Sequence, residues 1–111
     1  MSTGYTIDVP KLYGELGAVL SKAIEQAAYG KGSQRHAHVG EPFIQQPICE
    51  VTRRLGIEFP LGQAIKKIYE GQTLDDREAI AEFLGAINYI AAAVIAVSER
   101  MQKQVPSEDY I

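Results

Sequence analysis

"TLDDREAIAEFLGAINYIAAAVIAVSERM", residues 73–101, decides the fold class of this chain of 111 residues. Ile80, Phe83, Leu84, Ile87, Ala91, Val94, Ile95 and Met101 recur at the three- and four-residue spacing of an α-helix. Thr73 and Asp76 form a Thr-x-x-acid capping signal ahead of them. From Tyr89 to Val97 the stretch is apolar nearly all round, so more than one side must be covered. In so small a chain, another subunit is the natural cover. The run "INYIAAAVIAV" is about half of what a membrane span requires and contains Asn88, which predicts a core helix instead.

Upstream, the same period continues. Asp8 caps a first helix with Pro10 in its opening turn. Leu12, Leu16, Val19, Leu20, Ala23, Ile24 and Ala27 form one apolar stripe, and Gly30 and Gly32 end it. Gly14 and Gly17 weaken this helix, which predicts close packing against a neighbour. Pro47 opens a short helix closed by Gly56, and another runs from about Pro60 to Glu70. Strand-like alternation and internal repeats are missing. The expectation is an all-α, compact bundle of about four helices with a long C-terminal helix, oligomeric through helix packing. One domain spans residues 1–111, with a flexible N-terminal few residues and a polar tail over 104–111.

Composition narrows the function classes. With 46% hydrophobic residues and 23% charged ones, the chain reads as globular and not disordered. Cys49 is the single cysteine, so no internal disulfide forms, and a small buried apolar role suits it. The opening "MSTGYTIDVP" has no apolar signal region, which points to the cytoplasm. The net charge of −3 is segregated. Residues 31–67 carry Lys31, Arg35, Arg53, Arg54, Lys66 and Lys67 against three acids, whereas the remainder is acidic. A basic middle on an acidic body suits a compact anion better than a long nucleic acid.

The unusual chemistry sits in "YGKGSQRHAHVGEPFIQQP", residues 29–47. Glycines let backbone N–H groups approach an anion closely, Lys31 and Arg35 neutralise it, and Ser33, Gln34 and His36 add donors. Tyr29 and Phe43 bound the loop with aromatic faces on which a base can stack. Phosphates plus a stacking face describe a nucleotide. Gln46 adds a donor, and one cation of each basic pair, Lys67 among them, can fold back over the site, since adjacent helical residues point about 100° apart. A solvated basic turn is the plain alternative. His36 and His38 invite a metal reading, but zinc needs three or four ligands and nothing completes the set. No metal is expected.

Glu78 and Glu82 lie one turn apart with Asp75 aligned, the only acids placed to hold magnesium for phosphoanhydride hydrolysis. The first helix offers only Glu15 and Glu25 to face them. An acidic helix N-terminus is the simpler account of these residues.

At "GKGSQRHA", "GEPFIQQPI" and "GQAIKKIYEG…EFLGAINYIAAAVI" the chain resembles small phage proteins labelled dATP/dGTP diphosphohydrolase-like, relatives of the all-α MazG-type pyrophosphohydrolases. The similarity covers roughly residues 20 to 98. It implies a magnesium-dependent nucleotide pyrophosphohydrolase with Glu78 and Glu82 catalytic, but the first glutamate cluster of those enzymes is missing here. In type, the chain also resembles compact oligomeric phage proteins that sequester cyclic nucleotide immune signals without turnover. The expected function is therefore nucleotide binding without catalysis or cofactor. Magnesium-dependent hydrolysis and a protein–protein adaptor are the alternatives.

Overall fold

The computed structural model describes residues 7–30 and 40–104. Among them every regular element is helical: α1 (Val9–Tyr29), a 3-10 turn (Phe43–Gln45), α2 (Pro47–Leu55), α3 (Glu58–Gly71) and α4 (Asp76–Gln104). The all-α class and the long C-terminal helix are as the periodicity indicates.

Local chemistry sets the boundaries. Asp8 caps α1, its side chain accepting from the Lys11 N–H at 3.2 Å, and Pro10 sits in the first turn. Pro47 opens α2, and Gly56 ends it at φ +95°, where a side chain would be strained. The α4 cap differs from expectation. Asp75, not Thr73, accepts from the Glu78 N–H at 3.0 Å, and helix begins at Asp76. Thr73 instead donates back to the Glu70 carbonyl at 3.1 Å and so finishes the preceding turn.

The centre is an antiparallel hairpin of α3 and α4. Gly71 lies against Phe83, Lys67 reaches Glu82 and runs over Gly85, and Phe59 meets Tyr89 edge-on at 5.9 Å between ring centroids. A Cβ at Gly71 would come within 2.6 Å of the Phe83 ring, so only glycine admits this approach. α2 is tied to α4 by Arg53, whose Nε and Nη2 donate to the two Glu99 carboxylate oxygens, each at 3.0 Å. Arg53 also reaches Glu50 at 2.9 Å. α1 runs antiparallel to α4 and is clasped by two amides. Gln26 donates to the Ala81 carbonyl at 3.0 Å, and Asn88 donates to the Ala23 carbonyl at 2.9 Å.

The buried apolar residues are small: Ala23, Cys49, Ala64, Ala86, Ala92 and Ala93. Burial pushes the Cys49 thiol above its ordinary value, so it stays a protonated core residue. Large aliphatics lie outside, including Leu12, Leu16, Leu20 and Ile24 of α1 and Ile80, Ile90 and Val94 of α4. The expected close packing at Gly14 and Gly17 is not found, since a Cβ at either position would meet nothing within 4 Å. The apolar window of α4 is also wider than the eleven-residue run suggests. By length and composition this helix is sufficient to cross a membrane, with 22% of the window buried, a test that the core helix of a soluble protein also passes.

The two kinds of glycine should respond oppositely. Gly71→Ala must displace Phe83 and should cost about 1–3 kcal/mol, the usual range for overpacking. Gly17→Ala enters open space and should gain up to about 1 kcal/mol of helix propensity. Urea denaturation of the two variants beside the parent gives both signs.

Candidate functional site

Lys31, Ser33, Gln34, Arg35 and His36, with His38, lie outside the described residues. The structure does describe the stem from which their loop leaves and the segment on which it lands. Tyr29 is the last helical residue of α1 and is 76% exposed. Gly30 closes the helix, its N–H donating to the Gln26 carbonyl at 2.7 Å. The two amides that clasp α1 therefore set where the loop begins.

Gly85 is the meeting point of three helices at this stem. A Cβ there would lie 3.0 Å from Lys67 Cδ, 3.1 Å from Lys67 Cε and 3.4 Å from Gln26 Oε1. The glycine leaves room for the Lys67 stem, which crosses from α3 over α4 close to Gln26 of α1. Lys67 Nζ lies 3.5 Å from Glu82 Oε2 and 5.9 Å from the Tyr89 ring centroid. The ring face adds a cation–π attraction. Burial raises the Tyr89 phenol above its ordinary value, so it remains neutral. At 3.5 Å the ammonium is loosely paired, and its remaining N–H groups can meet a further anion. Of the predicted basic pair, Lys67 turns into the junction while Lys66 is drawn to Glu70 at 3.9 Å along α3. Arg53 and Arg54 divide the same way, with Arg53 taken by Glu99 and Glu50 and Arg54 exposed.

The landing segment is firm. Phe43 is half-buried at the head of the 3-10 turn. Gln46 is 9% exposed, and its Nε2 donates to the Glu41 carbonyl at 2.9 Å, so this amide group holds the turn. Glu78 sits at the opposite edge of the junction, on the exposed first turn of α4. A hydrogen bond and repulsion from Asp75 push its carboxyl above the ordinary range. Glu82, its neighbour one turn on, faces Lys67 instead of joining that pair. No group of three His, Cys, Asp or Glu side chains placed to hold a metal ion occurs among the described residues.

Sequence reasoning missed Gln26, Gly85, Asn88 and Tyr89. Asn88 carried a usable signal, because a lone amide within an apolar helix needs a partner. The others become visible only once α1, α3 and α4 are set side by side. A second concavity, about 710 Å³, opens between the end of α2 and the last turns of α4, lined by Thr52, Arg53, Gly56, Glu99, Arg100 and Lys103 among others. Its widest cation, Arg53, is already neutralised by Glu99, whose carboxyl is held below its ordinary range by that hydrogen bond. The chain matches no protein-family model, no curated protein and no solved structure.

The Lys67–Glu82 pair should be worth little to the fold, because both side chains are partly solvated. A double-mutant cycle with Lys67→Met and Glu82→Gln should return a coupling of about 0.2–1 kcal/mol in urea unfolding. Glu99 provides a contrast in pH. Its folded carboxyl is depressed, so its contribution is present above the ordinary carboxylate range and is lost as pH falls through the lower folded value. Glu99→Gln should therefore flatten the acid limb of a stability–pH curve, most visibly at low salt.

Proposed function

We propose that this protein binds a nucleotide or cyclic oligonucleotide and holds it without turnover, as a cytoplasmic homo-oligomer. The reading includes sequestration of a cyclic nucleotide signal of bacterial antiviral defence. The observation that carries it is the stem of the basic loop. There the exposed Tyr29 ring precedes the glycine–lysine run, one turn beyond Gln26, which meets Lys67 across Gly85. An aromatic face at the end of α1 and a loosely paired ammonium near that end would join the phosphate donors Lys31, Ser33, Gln34, Arg35 and His36, which follow directly in the sequence. Phe43 on the landing side offers a second apolar face.

What favours binding over hydrolysis is the direction of Glu82. A MazG-like magnesium-dependent pyrophosphohydrolase would need Glu78 and Glu82 together with further acids, and Glu82 is engaged by Lys67. Magnesium belongs only to that alternative. A partner's acids at Glu78 are the arrangement that would restore it.

The test is a thermal-shift screen across mononucleotides, ADP-ribose isomers and cyclic di- and trinucleotides, followed by chromatography of each ligand after incubation with magnesium. The expected result is a shift with at least one ligand, which is recovered intact and binds equally in EDTA. Arg35→Ala should weaken it by about 1.5–3 kcal/mol, the range for a charged hydrogen bond. EDTA-sensitive release of a nucleoside monophosphate and pyrophosphate, abolished by Glu78→Gln or Glu82→Gln, would establish the hydrolase instead. Absence of any shift, with a host protein retained through nuclease and added nucleotide, would establish an adaptor.

A further inference from the structure

The first turns of α1 carry an apolar stripe that stays exposed among the described residues. Val9, Leu12, Tyr13, Leu16, Val19 and Leu20 are all exposed, and Leu16 shows 55% of its surface. Of the 21 residues of α1 only Ala23 is buried. The helix touches α4 near its C-terminal end, through Ala23 and Gln26, and its remaining length projects as an arm. Gly14 and Gly17, with no atom within 4 Å of a Cβ built on either, describe the same free rod.

α4 carries a matching uncovered surface. Ile80, Phe83, Ile87, Ile90, Val94, Val97 and Met101 follow one another at alternating spacings of three and four, the seam of a helix that pairs with another helix. Phe83 meets Gly71 of α3 at one edge of this seam, whereas Glu82, Gly85, Tyr89 and Glu99, which face α3, α2 and α1, belong to a different stripe; Ile80, Ile90, Val94 and Met101 are turned to solvent. Val94, at its centre, is 59% exposed.

Eleven large apolar residues of α1 and α4, from Val9 to Ile24 and from Ile80 to Met101, each show 43–67% of their surface. At roughly 80 Å² apiece they offer on the order of the ~800 Å² that each partner hides in a standard interface. Among the described residues no large aliphatic side chain is fully buried, and the largest that are fully buried are Thr52 and Pro60.

We infer that the occupant is a second copy of this chain, with the α1 arm of each protomer laid along the Ile80–Met101 seam of the other. A two-fold exchange of this kind covers both surfaces on both copies with one operation and leaves no complementary patch to propagate a filament. The α1 stripe from Val9 to Ile24 is about 24 Å long at 1.5 Å per residue, shorter than the roughly 33 Å seam, so the arm fits within it. This pairing deepens the homo-oligomer of the proposed function. It uses no residue of the basic loop, so it stands or falls apart from the ligand.

Light scattering of the full chain at micromolar concentration should give twice the mass of one chain. Two differently tagged copies, one Leu16→Cys and one Val94→Cys, should form a mixed disulfide on co-expression and mild oxidation. The parent, whose Cys49 is buried, should form none. Leu16→Glu and Val94→Glu should each raise the dimer dissociation constant by about thirtyfold or more, the scale of an interface hot spot. Both side chains already face solvent in the single chain, so helicity by circular dichroism should persist; if either variant fails to fold, the cysteine pairing decides. A dimer cross-linked only Leu16→Cys to Leu16→Cys, or indifferent to both charges, would overturn this pairing while leaving an oligomer. A monomer, whether free or gathered onto neutral phospholipid vesicles, would overturn the second copy itself.

Discussion

Two glycines govern how the helices stand. Gly71 admits the Phe83 ring closer than a Cβ would allow, and Gly85 makes room for the Lys67 stem, which a Cβ would crowd at 3.0 Å. The α3–α4 hairpin can therefore come together over alanines, with Ala64, Ala86, Ala92 and Ala93 as its interior. Close approach on small residues gains dispersion contacts from backbone and Cβ atoms, but it removes little apolar side-chain area from water. The larger aliphatics of the same helices are then left to point elsewhere. Small interior and apolar exterior are consequences of one geometric choice.

That choice also makes the junction beside the basic loop. Because Gly85 has no side chain, Lys67 can extend flat across α4 to Glu82 and Tyr89. α1 buries only Ala23, and two amide-to-carbonyl bonds, from Gln26 and Asn88, tie it to α4. Each is a neutral hydrogen bond with a net value of about 1 kcal/mol, which is a modest restraint on a helix of this length. The stem that would carry a ligand is thus built on a lightly buried joint. Arg53 does the corresponding work at the other end with a two-point carboxylate bond, a stiffer device because its fork geometry admits one arrangement.

Periodicity and capping chemistry made the helices legible. Asp8, Pro10, Pro47 and Gly56 each sit where their backbone preferences place them, and the long helix follows from its three-and-four spacing. The α4 cap was displaced by two residues, since Thr73 and Asp75 are both capping residues and only geometry decides which one meets a free N–H. Gly14 and Gly17 misled for a related reason: a glycine marks either a close approach or a free rod, and the sequence is the same for both. Of the candidate site, Lys67 and Glu82 were visible as residues but not as a pair, because their meeting depends on how α3 crosses α4. In the sequence Asn88 only interrupts an apolar run; in the fold its amide is the clasp for α1.

The apolar length of α4 and the bareness of α1 are one problem seen twice. A helix with Ile80, Ile90 and Val94 in water costs free energy in proportion to that area, and so does an arm bearing Leu12, Leu16 and Leu20. A lipid phase would relieve α4 but would leave the Lys67–Glu82 and Arg53–Glu99 pairs to be desolvated along the same helix. Burial against a second arm relieves both helices and keeps those charges at the edge, where water still reaches them. In the proposed dimer the partner also braces α1, the helix that ends at Tyr29 and Gly30. A weak joint held by two amides then becomes a fixed stem, and less ordering entropy remains to be lost when a ligand meets the loop. Subunit pairing and ligand affinity would be linked through that single helix, with each favouring the other in equal measure.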